Sequence, residues 1–243
     1  MARLLVHVEG QTEETFVNEI LEPHLWHFGF TSVSARLLGN ARQRDRRGGI
    51  RGWDSVCGDI RGWDSVCGDI IRNLRQDPHC FTTTLVDYYA LPQSGAKAWP
   101  GRSAAAQLPF PQKAATVQAA LLADISATLG SSFNPARFAP YVMMHEFEGL
   151  LFSDCDGFSR GIGRPELAPA LQAIRDQFGS PEEINDSPLT CPSRRVAELA
   201  PGYEKPLLGT LAVLAIGLPA IRVECPLFRA WLERLEALPN ASL

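Results

Sequence analysis

The chain has 243 residues, of which 45% are hydrophobic and 21% are charged, and this is the composition of an ordinary soluble globular protein. Its formal net charge of −4 excludes a uniformly basic surface of the kind that attracts nucleic acid. The six cysteines form no CxxC pair and the histidines do not cluster. This pattern argues against a zinc site and for reduced thiols in a cytoplasmic protein.

Neither apolar segment of note is typical of a targeting or membrane sequence. The run from Leu4 to Val8 is too short for a secretory signal and meets Glu9 at once. The stretch 207–221 is interrupted by two glycines and a proline, so we expect a buried helix there and no membrane span. The predicted location is the cytoplasm.

In chain order, the hydrophobic pattern alternates between strands and helices. The predicted strands are 3–8, 31–38, 81–86 and 138–144; the predicted helices are 13–28, a stretch ending in IIRNLRQ, and 112–129. Thr12 is the expected cap of the first helix and Pro23 its expected kink. A long loop is predicted at 88–111, and from 165 onward the pattern is helical, closing with 225–238.

This alternation predicts an α/β fold with a mainly parallel sheet flanked by helices and a helical C-terminal extension. We divide the chain into an α/β core at 1–160 and a helical region at 161–243 that packs on the core. The oligomeric state stays open, with a homo-oligomer as one alternative.

Residues 51–70 contain the phrase RGWDSVCGDI twice without a change. Functional repeats normally have three or more copies that have diverged in sequence, and the surrounding sequence requires only one copy. We therefore interpret one of the two copies as a recent tandem duplication in the gene or as a cloning or sequencing artefact. The extra residues are expected to bulge out near an arginine-rich loop and leave the sheet intact.

Acidic side chains follow three of the predicted strands. Glu9 ends the first strand, Asp87 ends the third, and His145, Glu146 and Glu148 follow the fourth. Because the carboxyl ends of parallel strands meet at one edge of a sheet, we expect these groups to share a crevice. Crowded carboxylates need a cation or protons, and oxygen ligands favour Mg²⁺ or Mn²⁺. Glu13 lies four residues after Glu9 and is a further candidate ligand.

Several basic residues are candidates for phosphate contacts. They are Arg44, Arg46 and Arg47 in the arginine-rich loop, Arg194 and Arg195 after a possible helix cap at Ser193, and Lys205. For Lys205 the predicted role is to neutralise charge on a transferring phosphoryl group. The alternatives are a solvated loop, a surface arginine pair and a solvated lysine.

The segment around His145 leaves two geometries open. If the strand continues, Glu146 and Glu148 share a face and His145 points away; if a helix starts there, His145 and Glu148 become neighbours. His145 is then a metal ligand, a group that orients a ligand, or a core histidine. Gly149 stands where a zinc protease of the HExxH type needs its second histidine, so that class is excluded.

Three aromatic residues border the predicted long loop. Tyr88, Tyr89 and Trp99 either stack on nucleic-acid bases or pack in the core.

The phrase LLVHVEGQTEE resembles the opening motif of Toprim domains, including those of the overcoming-lysogenization-defect nucleases. Over most of the chain, from about residue 3 to residue 235, the sequence resembles the bacterial family called domain of unknown function 4276. The motifs that carry this resemblance are VEGQTEETFV, TTLVDYYALP, RFAPYVMMHEFEGLLFSD, PEEINDSPLTCPSRR and YEKPLLG.

The resemblance implies a Toprim-like fold and a magnesium-dependent nuclease. Genes of that family often lie beside those of AAA or ABC-type ATPases in phage-defence cassettes, so an ATPase partner is implied, with DNA favoured over RNA as substrate. In such a nuclease Glu9, Asp87, Glu146 and Lys205 would be catalytic. The metal ligands would come from the five carboxylates.

Toprim domains carry Asp-x-Asp after the third strand, whereas this chain reads Asp87-Tyr88-Tyr89. The alternative is therefore a non-catalytic degenerate Toprim module that binds nucleic acid or regulates the ATPase. A nucleotide-binding or nucleotidyl-transfer enzyme is a weaker alternative, because the sequence has no Walker-type loop or other glycine-rich phosphate motif.

Overall fold

A computed structural model describes residues 1–38, 60–110, 112–184 and 190–239. Its centre is a parallel sheet with the strand order β2-β1-β3-β4, and β5 pairs with β3 beyond β4. The predicted α/β class is therefore confirmed. The strands are β1 (Ala2–Val8), β2 (Phe30–Leu37), β3 (Cys80–Asp87), β4 (Phe138–Ala139) and β5 (Val142–Met143).

The predicted strand 138–144 is wrong as one unit, because it is split into β4 and β5. Pro140 stands between the two pieces and has no N–H to donate to a neighbouring strand. The Thr84 side chain bridges the gap: its hydroxyl donates to the Tyr141 carbonyl at 2.8 Å and accepts from the Tyr141 N–H at 3.0 Å. A side chain thus supplies the hydrogen bonds that the interrupted strand pairing lacks.

Two hydrophobic clusters lie on the two faces of the sheet. Alternation along β3 assigns Phe81 and Leu85 to one cluster and Val86 to the other. The helices are α1 (Gln11–Phe16), α2 (Glu22–Trp26), α3 (Trp63–Gln76), α4 (Arg102–Ala105), α5 (Gln112–Leu129), α6 (Glu148–Leu151), α7 (Cys155–Gly161), α8 (Ala168–Arg175), α9 (Pro192–Leu199), α10 (Thr210–Glu224) and α11 (Pro226–Ala237). The chain thus forms helical layers on both sides of the sheet.

The first helix differs from the prediction at its start. It begins at Gln11 with Gly10 as the N-terminal cap, so the predicted cap at Thr12 is wrong. A π-helical turn, Val17–Leu21, joins α1 to α2. Pro23 lies in the first turn of α2 and lacks the N–H that a continuous α-helix would use.

The second copy of the repeat supplies the start of α3. Trp63 begins this helix, is buried, and donates from its indole N–H to Asp124 on α5 at 2.6 Å. The ring of Trp63 also packs against Trp99 with a centroid distance of 5.0 Å. One copy is therefore part of the core, while residues 51–59 of the other lie outside the described residues.

The helices after residue 160 contribute to the same hydrophobic cluster as β1, α1 and α2. Leu171, Val213 and Phe228 are among the buried members, so the C-terminal helices pack directly on the sheet. The division at residue 160 stays a prediction.

The expectation of a buried helix at 207–221 is wrong in part. Leu207, Leu211 and Leu214 are 57%, 44% and 46% exposed. By length and composition alone, Lys205–Glu224 is apolar enough to cross a membrane, with a third of its most apolar window buried. Gly217 has a non-helical backbone (φ 76°, ψ 159°) and interrupts the segment. Other side chains of α10, including those of Val213 and Ile221, are buried in the core.

Candidate functional site

A small pocket lies at the carboxyl ends of β1 and β3. We call it the acidic pocket, and it has a volume of about 70 Å³, enough for an ion or a few water molecules. Its walls are Glu9, Asp87, Tyr89, Ala90, Glu146, Glu148, Ser193 and Lys205. The structure therefore brings together all four residues predicted to be catalytic and four of the five predicted metal ligands.

The strands and the turns that follow them explain this convergence. Glu9 directly follows β1, and Asp87 is the last residue of β3, which is the neighbour of β1 in the sheet. Glu146 lies between β5 and α6, and Glu148 is the first residue of α6. Parallel pairing places all these segments at one edge.

The geometry left open around His145 is now defined. Glu146 and Glu148 both line the acidic pocket, whereas His145 lines a neighbouring pocket. The continued strand predicted this arrangement, with Glu146 and Glu148 on one side and His145 on the other. Glu148 is nevertheless the first residue of helix α6.

Lys205 is the cation at the centre of the carboxylates. Its Nζ lies 3.1 Å from Glu148 Oε2 and 3.6 Å from both Glu13 Oε1 and Asp87 Oδ2. The fifth predicted ligand, Glu13, thus contacts Lys205 without lining the acidic pocket. The predicted alternative of a solvated surface lysine is wrong, since Lys205 is an ion-pair partner of three carboxylates.

The segment that carries Lys205 is attached to the first helix. The buried Thr12 hydroxyl donates to the Lys205 carbonyl at 3.4 Å. Gly209 approaches the same helix so closely that a Cβ there would lie 3.4 Å from Thr12 Cγ2 and 2.9 Å from the Tyr203 hydroxyl. Thr12, predicted as a helix cap, instead helps to fix the position of the lysine.

Two carboxylates are oriented by backbone N–H groups. Glu13 Oε2 accepts from the Gly10 N–H at 3.1 Å, and Glu146 Oε2 accepts from the Ser193 N–H at 3.0 Å. Ser193 lies in the first turn of α9, whose positive end favours a carboxylate. The N-terminus of α9 therefore holds Glu146, and the prediction that Ser193 caps α9 is wrong because Cys191 is the cap.

Burial and mutual repulsion raise the pKa values of Glu9, Asp87 and Glu148. Burial, together with Glu13 and Glu148, raises the pKa of Glu9 to about 7, although Lys205 acts in the opposite direction. The pKa of Asp87 also lies well above its ordinary value, because of burial and the nearby glutamates. Burial lowers the pKa of Lys205, but the carboxylates outweigh it and raise that pKa well above its ordinary value. One ammonium therefore compensates only part of the negative charge.

Several carboxylate oxygens have no hydrogen-bond donor among the described residues. The buried oxygens without a donor include Glu9 Oε2, Asp87 Oδ1 and Glu148 Oε1. A buried acceptor without a donor is costly, and oxygen atoms of this kind suit Mg²⁺ or Mn²⁺. The donor set fits the predicted ion in its chemistry.

The carboxylates are not arranged as a coordination shell for a metal ion. Within the described ranges, no group of three or more His, Cys, Asp and Glu residues is arranged to hold a metal ion. The side chains surround the Lys205 ammonium instead. Metal binding would therefore require a side-chain rearrangement around this lysine.

Of the arginines predicted to contact nucleic acid, the two that the structure describes do not line the acidic pocket. Arg195 donates from Nε to the Thr190 carbonyl at 2.7 Å, and its guanidinium lies 5.3 Å from the centre of the Phe178 ring. Arg194 is exposed on α9. Arg44, Arg46 and Arg47 lie outside the described residues.

The three aromatic residues separate into two groups. Tyr88 and Trp99 are only 1% and 2% exposed, so they are core residues and the base-stacking alternative is wrong for them. Tyr89 is half-buried and lines both the acidic pocket and its neighbour.

Sequence reasoning did not identify Tyr203 as part of the site. Its hydroxyl is buried without a hydrogen-bond partner among the described residues, and its pKa is raised by burial and by Glu148. The only signal was its position two residues before Lys205. The Ser193 N–H was missed as well, since a backbone donor leaves no trace in the residue type.

A family model matches residues 8–236, and its description is Domain of unknown function (DUF4276). The chain belongs to the DUF4276 family. No curated protein and no solved structure matches the chain significantly. The match thus confirms the resemblance to the DUF4276 family, and the activity is argued from the acidic pocket.

Proposed function

We propose that this DUF4276 protein is a nuclease that uses Mg²⁺ or Mn²⁺ to hydrolyse phosphodiester bonds. The observation that carries the proposal is the convergence of carboxylates at the carboxyl edge of a parallel sheet. Four of them line the acidic pocket together with Lys205, and three, including Glu13, lie within 4 Å of its Nζ. Four of these carboxylates have buried oxygens without a hydrogen-bond donor among the described residues. An ion would supply the missing positive charge.

The ligands in this proposal are Glu9, Asp87, Glu146 and Glu148, which line the acidic pocket. When bound, the ion would activate water and stabilise the leaving oxygen. The Ser193 N–H donates a hydrogen bond to Glu146, and in this proposal Lys205 would neutralise charge on the phosphoryl group. Glu9 serves as a ligand or as a general acid/base.

The Toprim-like character of the fold, the ATPase partner and a role in phage defence are part of the same proposal. The resemblance of LLVHVEGQTEE to Toprim motifs supports the first. The other two are supported by membership of the DUF4276 family, whose genes often lie beside those of such ATPases. DNA is favoured over RNA as the substrate. Cytoplasmic location is proposed with them.

A second candidate is a non-catalytic module that binds nucleic acid or regulates a partner. The position of Lys205 favours it, because its ammonium already lies among the carboxylates that would hold an ion. The absence of the second aspartate after β3 supports it further, since Tyr89 occupies that position.

Calorimetric titration with Mn²⁺ and Mg²⁺ distinguishes these candidates. The nuclease proposal expects saturable binding that is lost in Glu9→Gln and in Asp87→Asn while circular dichroism shows an unchanged fold. Glu19→Gln, the same change at an exposed residue of the π-helical turn after α1, is the matched control and should bind metal like the wild type. If the wild type binds no metal at millimolar concentrations, the non-catalytic module is favoured.

Binding would then justify a cleavage assay with single-stranded and duplex DNA and RNA. Metal-dependent cleavage that Lys205→Met lowers by at least about a hundredfold would support the catalytic role of Lys205. Metal binding without cleavage of any of these nucleic acids, alone or with the ATPase, would contradict the nuclease.

A further inference from the structure

A larger pocket adjoins the acidic pocket and shares Tyr89 with it. We call it the aromatic pocket; its volume is about 410 Å³, and its walls include Tyr89, Phe110, Lys113, His145, Phe178 and Glu183. This volume lies within the range of about 300–1,000 Å³ that small-molecule sites occupy. Because Glu146 in the acidic pocket directly follows His145 in the chain, the two pockets are immediate neighbours.

His145 is the unusual residue of the aromatic pocket. It is only 3% exposed, and its Nδ1 is buried without a hydrogen-bond partner among the described residues. A buried polar atom in this condition costs free energy unless something bonds to it. His145 thus offers hydrogen-bonding capacity that the described part of the protein does not use.

Aromatic rings surround this histidine. The Tyr89 ring stacks on it at a centroid distance of 5.3 Å and an angle of 18°, and the Phe110 ring lies 6.4 Å away at 38°. Phe178 contributes a further ring to the wall. Flat apolar faces beside a hydrogen-bonding edge are the features that recognise a planar heteroaromatic ring.

The charged groups of the aromatic pocket fit a nucleoside unit better than a free aromatic hydrocarbon. Lys113 supplies a cation on the wall, suited to a phosphate or sugar oxygen, and Glu183 supplies an acceptor for a base N–H or a sugar hydroxyl. The aromatic pocket thus combines ring faces, a hydrogen-bonding imidazole and one charge of each sign.

We propose that the aromatic pocket binds the base of a nucleotide next to the phosphodiester bond that enters the acidic pocket. The base is unpaired when bound, so the substrate is single-stranded or has a nucleotide turned out of the duplex. This inference rests on the proposed nuclease function, and it adds a site that selects the base beside the cleaved bond.

The test is a titration of the wild-type chain in EDTA with the nucleoside 5′-monophosphates of the common bases. Binding is monitored by saturation-transfer NMR. The expected result is binding at millimolar ligand, with saturation transferred to the base protons. Ribose 5-phosphate should bind at least about tenfold more weakly. If it binds as well as the nucleotides, the aromatic pocket recognises phosphate alone and the proposal is overturned.

Variants of the pocket residues test whether the nucleotide binds in the aromatic pocket. Phe110→Ala at a half-buried position should weaken nucleotide binding by about tenfold, and His145→Phe should weaken it while preserving the packing volume. Phe133→Ala is the matched control, since Phe133 is also half-buried but is not part of this pocket. Equal binding by wild type, Phe110→Ala and His145→Phe would overturn the proposal.

Because the nucleotide titration is carried out without metal, it tests the aromatic pocket independently of the nuclease proposal. Nucleotide binding that Phe110→Ala weakens supports the aromatic pocket even if no metal binds and no strand is cleaved. Conversely, metal-dependent cleavage without detectable nucleotide binding, and with the same products and rate in Phe110→Ala, overturns the aromatic pocket and leaves the nuclease in place.

Discussion

Lys205 and Glu148 form the shortest ion pair of the acidic pocket, with 3.1 Å between Nζ and Oε2. The two partners differ in exposure: the Glu148 side chain is 1% exposed, whereas the Lys205 side chain is 36% exposed. Without the ion pair, the Glu148 carboxylate would be a buried charge with no partner at this distance, whereas the Lys205 ammonium would still be partly solvated.

Removal of the Lys205 charge should destabilise the metal-free protein. We expect Lys205→Met to lower the free energy of unfolding by about 1–3 kcal/mol at neutral pH in EDTA, a value reduced by the partial exposure of the lysine. Urea denaturation measures the change. Lys97→Met, at an exposed lysine, is the control and should stay within about 0.5 kcal/mol of the wild type. Equal stability of both variants would contradict the importance of the ion pair.

Glu182 should make stability depend on pH. It is fully buried and accepts hydrogen bonds from the backbone N–H groups of Leu227 (2.8 Å) and Phe228 (2.9 Å). Burial nevertheless raises its pKa from 4.5 to about 7. Between about pH 4.5 and pH 7 the folded state therefore binds more protons than the unfolded state. The stabilisation by Glu182 falls as pH rises through this range, by about 3 kcal/mol in total.

The variant Glu182→Gln isolates this contribution, because its side chain does not titrate. Denaturation from pH 4 to pH 8 should show a loss of stability between about pH 4.5 and pH 7 that is about 3 kcal/mol smaller in the variant than in the wild type. Part of the loss remains in both chains, because the pKa of Glu9 is also raised to about 7. Glu198→Gln, at an exposed site on α9, should keep the wild-type profile. Parallel profiles for wild type and Glu182→Gln would disprove the assignment.

Deletion of residues 51–60 should leave the free energy of unfolding unchanged within about 0.5 kcal/mol, or raise it. In the shortened chain Ile50 precedes Arg61 and can take the position of Ile60, which is 2% exposed in the core. Thermal denaturation of both chains measures the difference. A deletion that unfolds the protein would show that both copies of the repeat are required.

The two sides of α10 should respond differently to the same kind of change. Ile221→Ala, at a fully buried residue, should cost about 2–5 kcal/mol. Leu214→Ala, at a residue that is 46% exposed, should change stability by less than about 0.5 kcal/mol. Urea denaturation of the two variants tests this contrast, and a large loss in Leu214→Ala would mean that this side chain is covered in solution.

The local chemistry of the sequence predicts much of the fold. Apolar runs ending in an acid, such as Leu4–Val8 before Glu9, identify buried parallel strands and the edge at which they end. Asp87 was assigned to that edge for the same reason. The helix predicted at 112–129 matches α5 (Gln112–Leu129).

Other features depend on contacts between distant segments. The exchange of hydrogen bonds between Thr84 and Tyr141 across the strand gap joins residues 57 positions apart. The exposure of Leu211 depends on which side of α10 faces the core, and a helix that is apolar on all sides contains no such information. Thr12 lies inside the helix and anchors Lys205, because the helix begins two residues earlier than predicted.

The bond between Thr12 and the Lys205 carbonyl joins positions 193 residues apart. On a ribosome that adds about 5–20 residues per second, roughly 10–40 s pass between the synthesis of the first helix and the synthesis of the lysine. During that interval the early carboxylates have no lysine to neutralise them. A growing or prematurely ended chain therefore cannot assemble the acidic pocket, and any activity of that pocket is withheld from the cell until translation has passed residue 205.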